Sequence, residues 1–263
     1  MNFTKDDIIT TDKYLNAFPN NYYKTDIIIN KNTINWRNKI CHQPNKNTNL
    51  LITGHSDYSI NDNDVEYFSP KIWYTVNKNS RYENIYSIPL GITNNTNESN
   101  LHSIYGDLDC MIKVMNEEVN YKKLVYMNFN INNYSQERQY IWDFFKNEKW
   151  ITIGNIVNTI EGRTQFLREL KSHSFVLCPR GYGVDTHRLW ETLYMGSIPI
   201  VKKNFGYEDF YDLPICFIDD WNQINEEFLE KEKIRINNTK YCLDKLKISY
   251  WIDKIKKSIE NIK

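Results

Sequence analysis

The loop at residues 179–191 carries the side chains with the clearest chemical potential. It reads Pro-Arg-Gly-Tyr-Gly-Val-Asp-Thr-His-Arg-Leu-Trp-Glu and lies between an apolar run and a helical pattern. Its two glycines permit a sharp turn and a close approach to a ligand, and the start of a helix offers free N–H groups to an anion. An ordinary turn is an equally good interpretation of Gly-x-Gly alone, because that pattern is common.

Two cations at the start of this helix favour an anionic ligand. With Asp185 or Thr186 as the N-cap, His187 and Arg188 fall in the first turn, where the helix dipole disfavours positive charge. A bound diphosphate would remove the conflict and could also accept hydrogen bonds from Arg180. The alternative partner is a carboxylate of the protein itself.

Glu191 occupies the same predicted helix face as His187 and Arg188, at spacings of four and three residues. Its two oxygens could accept hydrogen bonds from the two hydroxyls of a ribose, as acidic residues do in dinucleotide sites. An ion pair between Glu191 and Arg188 is the alternative.

Short apolar runs alternate with helical patterns, which predicts an α/β protein with parallel sheets. The predicted strands are 26–30, 50–53, 72–76, 85–89, 124–129, 150–154, 174–178, 198–201 and 215–218. The predicted helices are 107–119, 136–146, 162–171, 185–196 and an amphipathic one from Ile248 to Ile262. A boundary near residue 122 would divide the chain into domains 1–122 and 123–263. Ligands of such sheets bind beyond the carboxyl ends of the strands, which is where loop 179–191 lies.

Bulk composition limits the possible partners. The 33 basic residues balance the 33 acidic ones, so no summed field favours a nucleic acid. Five cysteines without a C-x-x-C pair indicate neither a disulfide framework nor a zinc cluster. The N-terminus lacks the order of a signal peptide, and no apolar run is long enough to span a membrane. We therefore expect a cytoplasmic protein without a transmembrane segment, in the host cytoplasm if the source is viral.

The stretch from Ser174 to Val201 resembles the C-terminal motif of exostosin-like glycosyltransferases, and enzymes of large DNA viruses and bacteria carry similar stretches. Weaker similarity occurs at 54–58, 88–92 and 126–130. The resemblance implies a GT-B fold of two facing Rossmann-like domains, a nucleotide-sugar donor that is usually UDP-linked, inversion at the anomeric carbon, and a glycan or other hydroxyl acceptor.

The resemblance also implies site residues. Arg180, Arg188 and the Gly181–Gly183 loop would bind the diphosphate, Glu191 the ribose, and His187 would line the pocket. The full predicted donor set is Arg180, Gly181, Tyr182, Gly183, Val184, Asp185, Thr186, His187, Arg188, Glu191, Asn128 and Arg138. A solvated surface charge is the alternative role for Arg138. We expect the loop after Trp150–Gly154 to contact the nucleobase.

Inverting transfer needs a general base, which we expect from the N-terminal domain across the cleft. Asp57 is the first candidate and His55 the second, because both follow the predicted strand 50–53. Ser56, Tyr58 and Gly91 would line the same cleft. A purely structural loop, with Asp57 in an Asx-turn, is the alternative.

No metal or cofactor is expected beyond the nucleotide-sugar. Asp107-Leu108-Asp109 matches an Asp-x-Asp metal motif but lies in a predicted helix, and Asp219-Asp220 is expected to cap a helix. Two other functions remain open: a GDP-sugar transferase of the fucosyltransferase type, and a non-catalytic module that binds nucleotide-sugars or glycans. A dehydrogenase is disfavoured because no Gly-x-Gly-x-x-Gly follows an early strand.

Overall fold

The computed structural model describes residues 3–18, 27–30, 34–35, 39–40, 49–54, 56–96 and 99–262. Its strands are β1 Ile27–Asn30, β2 Ile34–Asn35, β3 Lys39–Ile40, β4 Leu50–Thr53, β5 Ile60–Asn61, β6 Ile72–Thr75, β7 Lys78–Asn79, β8 Ile85–Ser87, β9 Lys123–Met127, β10 Ile151–Ile153, β11 His173–Leu177, β12 Ile198–Lys202 and β13 Cys216–Ile218. Its α-helices are α1 Thr11–Ala17, α2 Asp62–Phe68, α3 Asn100–Tyr105, α4 Leu108–Met115, α5 Ser135–Phe145, α6 Ile160–Lys171, α7 His187–Tyr194, α8 Glu226–Asn237 and α9 Ile248–Ile262.

The first sheet consists of four parallel strands in the order β1-β4-β6-β8. Leu50 pairs with Ile27 on one side and with Ile72 on the other. All four residues of β4 are buried, because a parallel sheet covered on both faces hides both sets of side chains. This explains why the sequence of β4 is apolar without alternation.

The second sheet has five parallel strands in the order β10-β9-β11-β12-β13. In chain order this is 2-1-3-4-5, a doubly wound arrangement whose direction reverses between β9 and β11. A crevice opens at such a reversal beyond the carboxyl ends of the two strands. The segments that follow β9 and β11 begin at Asn128 and Cys178, so the predicted donor residues border this crevice.

The two sheets face each other through the loops at their carboxyl ends. Asn77, which follows β6, accepts a hydrogen bond from the Asp185 amide, which follows β11, at 2.8 Å. Leu90 donates its backbone N–H to the Asp185 carboxylate, also at 2.8 Å. The predicted α/β fold with two facing parallel sheets, the arrangement that the GT-B resemblance implies, is confirmed.

Helix α9 returns to the first half of the chain. Its buried side chains Trp251, Ile255 and Ile259 form the predicted apolar stripe. The Ser258 hydroxyl is 2.7 Å from the Tyr74 hydroxyl of β6. The domain boundary near residue 122 stays a prediction, and α9 packs against the half that precedes it.

Most elements were predicted from the sequence, but four helices and four two-residue strands were not. The first strand is described from Ile27 onward, and α7 begins at His187 instead of Asp185. The helices α1, α2, α3 and α8 and the strands β2, β3, β5 and β7 have no predicted counterpart. In α2 the start depends on an Asn61 and Asp64 capping box, which satisfies N–H groups without adding an apolar repeat. Among the described residues, none of the helices has the length and apolar content needed to cross a bilayer.

Candidate functional site

Arg138 of α5 holds the loop at the sheet reversal in place. Its three guanidinium nitrogens donate to the carbonyls of Arg180 at 2.8 Å, Asn130 at 2.8 Å and Pro179 at 3.3 Å. Burial, followed by the nearby charge of Arg188, lowers the pKa of Arg138 to about 10. The alternative of a solvated charge is wrong, because Arg138 is buried and supports the loop backbone.

Arg180 and Tyr182 form the open side of this loop. The Arg180 guanidinium lies 4.5 Å from the centroid of the Tyr134 ring and donates to the Tyr182 carbonyl at 3.0 Å. Arg180 forms no ion pair with a described carboxylate. Tyr182 is 65% exposed, and its hydroxyl reaches the Asn132 carbonyl at 3.4 Å. Both side chains can therefore meet a ligand from solvent.

Arg188 is a cation without a matching anion. Its Nε is buried and has no hydrogen-bond partner among the described residues. Its guanidinium lies 5.8 Å from the Phe166 ring centroid, and no described carboxylate is in ion-pair contact with it. An unpaired, half-buried cation with a buried Nε in the first turn of α7 is unfavourable in the absence of an anion. The structure therefore has an unpaired cation at the start of the helix, as the sequence predicted.

Glu191 forms its ion pair with Arg163 of α6 and not with Arg188. Arg163 Nη1 is 2.6 Å from Glu191 Oε1, and the two side chains are 1% and 5% exposed. Arg163 also donates to the Tyr105 carbonyl at 3.1 Å. The expected alternative pairing with Arg188 is therefore wrong. The ribose role of Glu191 stays a prediction.

Asp185, Val184 and Thr186 face the protein interior. Both Asp185 oxygens accept hydrogen bonds, from Leu90 N, Thr186 N and Trp190 Nε1. The Val184 carbonyl accepts from the Tyr207 hydroxyl at 2.8 Å. Thr186 is the N-cap of α7, but its hydroxyl makes no capping bond. Asp185 thus joins the two halves of the chain through Leu90, and the predicted donor-binding role of Val184, Asp185 and Thr186 stays a prediction.

Burial raises the pKa of Asp185 to about 6. A carboxyl group whose pKa is higher in the folded than in the unfolded state stabilises the fold at acid pH, and this contribution is lost as the pH rises through the folded value. We expect wild type to lose roughly 1 kcal/mol more stability between pH 5 and pH 7 than Asp185→Asn, which does not titrate there. Urea unfolding of both proteins at the two pH values measures this difference, and equal pH dependence would contradict it.

His187 contacts the first half of the chain through Gly91. Its Nδ1 donates to the Gly91 carbonyl at 2.7 Å, since a carbonyl can only accept. Gly91 has φ +69°, and a Cβ there would collide with the Ile9 backbone. Burial lowers the pKa of His187, which favours a neutral ring with Nε2 unprotonated. No described residue bonds to Nε2, so its lone pair is available.

Asp57 stands opposite His187 with its carboxylate free of hydrogen bonds from described residues. The turn at this point is made by Ser56, whose hydroxyl accepts the Tyr58 N–H at 3.0 Å, so the expected Asx-turn of Asp57 does not form. Asp57 is exposed to solvent, yet surrounding protein desolvates it and raises its pKa, and only a protonated His187 would oppose this shift. Such a carboxylate suits a general base.

The sequence also predicted Tyr58 and His55 as site residues in the first half of the chain. The Tyr58 hydroxyl donates to Asp64 at 2.9 Å, and burial raises the pKa of Tyr58 to about 12. This bond leaves Tyr58 with a structural partner at the edge of the cleft. His55 lies outside the described residues.

Asn128 adjoins Phe129 and Asn155, two of the residues that line a pocket of about 440 Å³ beyond β9 and β10. Its side-chain amide donates to the Tyr126 hydroxyl at 2.9 Å and to the Asn155 carbonyl at 3.1 Å. The pocket is lined by Phe129, Asn130, Ile131, Asn132, Gln139, Trp142, Gly154, Asn155 and Ile156. The loop after β10, expected to contact a nucleobase, therefore forms one wall.

Two residues at the site were not identified from the sequence. Arg163 shares the buried stripe of α6 with Leu167 and Leu170, so a cation on an apolar helix face was the available signal. No sequence pattern marks Asn77 as a site residue, because an Asn between two short strands is typical of an ordinary turn. Both act through contacts between segments distant in the sequence.

The acidic motifs have structural roles. The Asp107 carboxylate accepts the Cys110 N–H at 3.0 Å and caps α4. Asp220 forms the predicted cap, of a 3-10 helix at Trp221–Gln223. Within the described ranges, no group of three or more His, Cys, Asp or Glu side chains is placed to hold a metal ion.

The fold and site define an α/β protein of two facing halves, with unpaired arginines at the reversal of one sheet and a free carboxylate opposite. Residues 131–262, half of the chain, match the family described as the RXYLT1 C-terminal domain, and the chain belongs to this family. The match supports the resemblance to exostosin-like glycosyltransferases at the level of the family. No curated protein matches the sequence.

One solved structure with a similar chain course is that of an α1,3-fucosyltransferase. It is 12% identical, the match covers 84% of this chain and 79% of that one, and the TM-score is 0.40. At this level of similarity it bears on neither donor nor acceptor.

Proposed function

We propose that the protein is an inverting glycosyltransferase that transfers a sugar from a nucleotide-sugar, most favourably a UDP-sugar, to a hydroxyl acceptor. The observation that carries this proposal is the unpaired, half-buried Arg188 at the start of α7, whose Nε is buried without a described hydrogen-bond partner. A diphosphate there would accept hydrogen bonds from Arg188 and Arg180, and from the N–H groups of the helix start. These groups would also neutralise the charge that develops on the departing diphosphate, so the proposed reaction includes no metal ion.

The ribose and the nucleobase of the donor would lie on either side of the arginines. Glu191 lies one turn further along α7 and is offered for the ribose, and the pocket near Asn128 is offered for the nucleobase. The sugar would then point towards His187 and Asp57, where the halves face each other. This order follows the crevice that the sheet reversal creates.

Asp57 is the proposed base. Its carboxylate would take the proton of the acceptor hydroxyl while that oxygen attacks the anomeric carbon and the bond to the diphosphate breaks. The raised pKa makes Asp57 a stronger base than a fully solvated aspartate. The Nε2 lone pair of His187 could accept a hydrogen bond from a sugar hydroxyl.

Two alternatives lead to different measurements. A GDP-sugar transferase would use the same arginines and differ in the nucleobase pocket. A non-catalytic module would bind the donor without transfer, but the unbonded Asp57 opposite the arginines favours an enzyme.

The direct test is a thermal-shift panel of UDP, GDP, CMP and dTDP with their common sugar conjugates. We expect UDP to raise Tm by several degrees at 100 times its Kd, because a ligand that binds only the folded state stabilises it by about 2.7 kcal/mol at that concentration. A shift with GDP alone would select the alternative donor. No shift with any nucleotide would refute the proposed donor site.

A further inference from the structure

Asn77 lies where the two halves of the site meet. It follows β6 at the carboxyl end of the first sheet and is 3% exposed. Its φ of 58° is in the left-handed region, which Asn tolerates better than most residues with a Cβ. Its backbone carbonyl accepts the Ile60 N–H at 3.1 Å. The backbone position of Asn77 is therefore held independently of its side-chain contacts.

The side-chain amide joins the loop of Asp57 to the loop of the arginines. Asn77 Nδ2 donates to the Ser56 carbonyl at 2.7 Å, and Asn77 Oδ1 accepts the Asp185 N–H at 2.8 Å. Ser56 directly precedes Asp57, and Asp185 lies three residues before Arg188. One planar group thus spans the two segments to which the proposed function assigns the base and the diphosphate contacts.

Other side chains could not form both hydrogen bonds of the Asn77 amide. The partners fix the orientation of the amide, since a carbonyl only accepts and an N–H only donates. An aspartate of the same size could not donate to Ser56 O, and an aliphatic residue would leave both partners unsatisfied in a buried place. Gly183 packs on the amide so closely that a Cβ there would lie 2.7 Å from Asn77 Nδ2. Residues 56, 77, 183 and 185 therefore form one close-packed contact.

We propose that Asn77 is a positioning residue that sets the location of Asp57 relative to the donor loop. The inference rests on the proposed function, because it concerns the geometry between the base and the donor. Asn77 touches no reacting atom. Its removal displaces Asp57 from the attack line, whereas the donor loop keeps its two hydrogen bonds from Arg138 within the second half.

The test uses Asn77→Gly, which keeps the left-handed backbone and removes both side-chain bonds. The readouts are the UDP dissociation constant and the rate of UDP release, with water as acceptor, from the UDP-sugar that stabilises wild type most. We expect kcat to fall by about 100-fold, the loss that a misplacement near 1 Å can cause. We expect Kd for UDP to stay within about twofold, because the bonds from Arg138 and the bond between the Asp185 carboxylate and Leu90 still hold the donor loop.

Ser69→Gly is the matched control, since Ser69 is the other described non-glycine residue with positive φ and is exposed at the end of α2. We expect its kcat to equal that of wild type. Asn77→Asp is the second variant if the glycine variant does not fold. It keeps the size and the acceptor, and we expect a similar loss of kcat.

The outcomes distinguish the positioning role of Asn77 from the proposed glycosyltransferase function. Folded Asn77 variants with wild-type kcat would overturn the positioning role and leave the proposed function intact. Equal losses in kcat and UDP affinity would also overturn it, because they indicate general damage to the site. Wild type that binds no nucleotide would overturn the proposed function, and this inference with it.

Discussion

Asp57→Asn is expected to lower the rate of UDP release from the bound UDP-sugar by about 10²- to 10⁴-fold, the usual contribution of a positioned general base. Asn has the shape of Asp but cannot take a proton. Because no described residue bonds to the Asp57 carboxylate, the substitution breaks no contact that supports the fold. The UDP dissociation constant should therefore be unchanged, and so should Tm within a degree or two.

The pH profile adds a second readout for the same base. A general base must be unprotonated, so the rate falls as the pH drops through its pKa. Desolvation raises the pKa of Asp57, and the acid limb should lie above the range near 4 that is usual for an exposed aspartate. The limb should be missing from the residual activity of Asp57→Asn. An unchanged limb and rate would remove Asp57 as the base and leave His187 as the nearest described candidate.

Tyr58→Phe is the control for damage to this loop. It removes the hydroxyl bond to Asp64 and leaves the Asp57 carboxylate in place. A large loss of rate in Tyr58→Phe would mean that loop geometry, and not proton transfer, limits the reaction. A loss confined to Asp57→Asn would support the base assignment.

The strands of the two main sheets were predictable because their residues are local and repeated. Runs such as Leu50–Thr53 and Ser174–Cys178 are mostly apolar, and the structure buries them on both faces. The loop at 179–191 was equally predictable, since two glycines and two arginines next to a helix start conflict with simple packing. These features are contained in segments of a dozen residues.

What the sequence did not predict depends on contacts between distant segments. The partner of Glu191 is Arg163, on another helix, and the alternative local partner Arg188 remains unpaired. The Asp185 carboxylate bonds to Leu90 across the cleft, a contact that no local pattern indicates, and its donor role stays a prediction. Spacing along one helix cannot show such partners, because the fold alone decides which helix comes alongside. Predictions of single functional residues from sequence are therefore most reliable where the feature that marks the residue lies within one short segment.

Arg188→Ala is expected to weaken UDP binding by about 100-fold or more and to remove the thermal shift. Charge-assisted hydrogen bonds contribute about 1.5–3 kcal/mol each, and a guanidinium can make two of them to a diphosphate. Arg188→Lys keeps the charge but loses the planar pair of donors, so an intermediate loss is expected. Isothermal titration with UDP measures both variants.

The stability of the ligand-free protein distinguishes binding from structure. Arg188 lies near Arg138 and lowers its pKa, and its Nε has no described partner. Removing a cation from such surroundings should leave Tm unchanged or raise it, as is common for residues kept for binding at a cost in stability. Arg168→Ala is the matched control, because Arg168 is paired with Glu117 at 2.7 Å on the surface and should not affect UDP affinity. If Arg188→Ala instead lowers Tm by several degrees and keeps the UDP shift, Arg188 is a structural residue. The diphosphate would then have to bind elsewhere in the crevice, where Arg180 is another described arginine without a carboxylate partner.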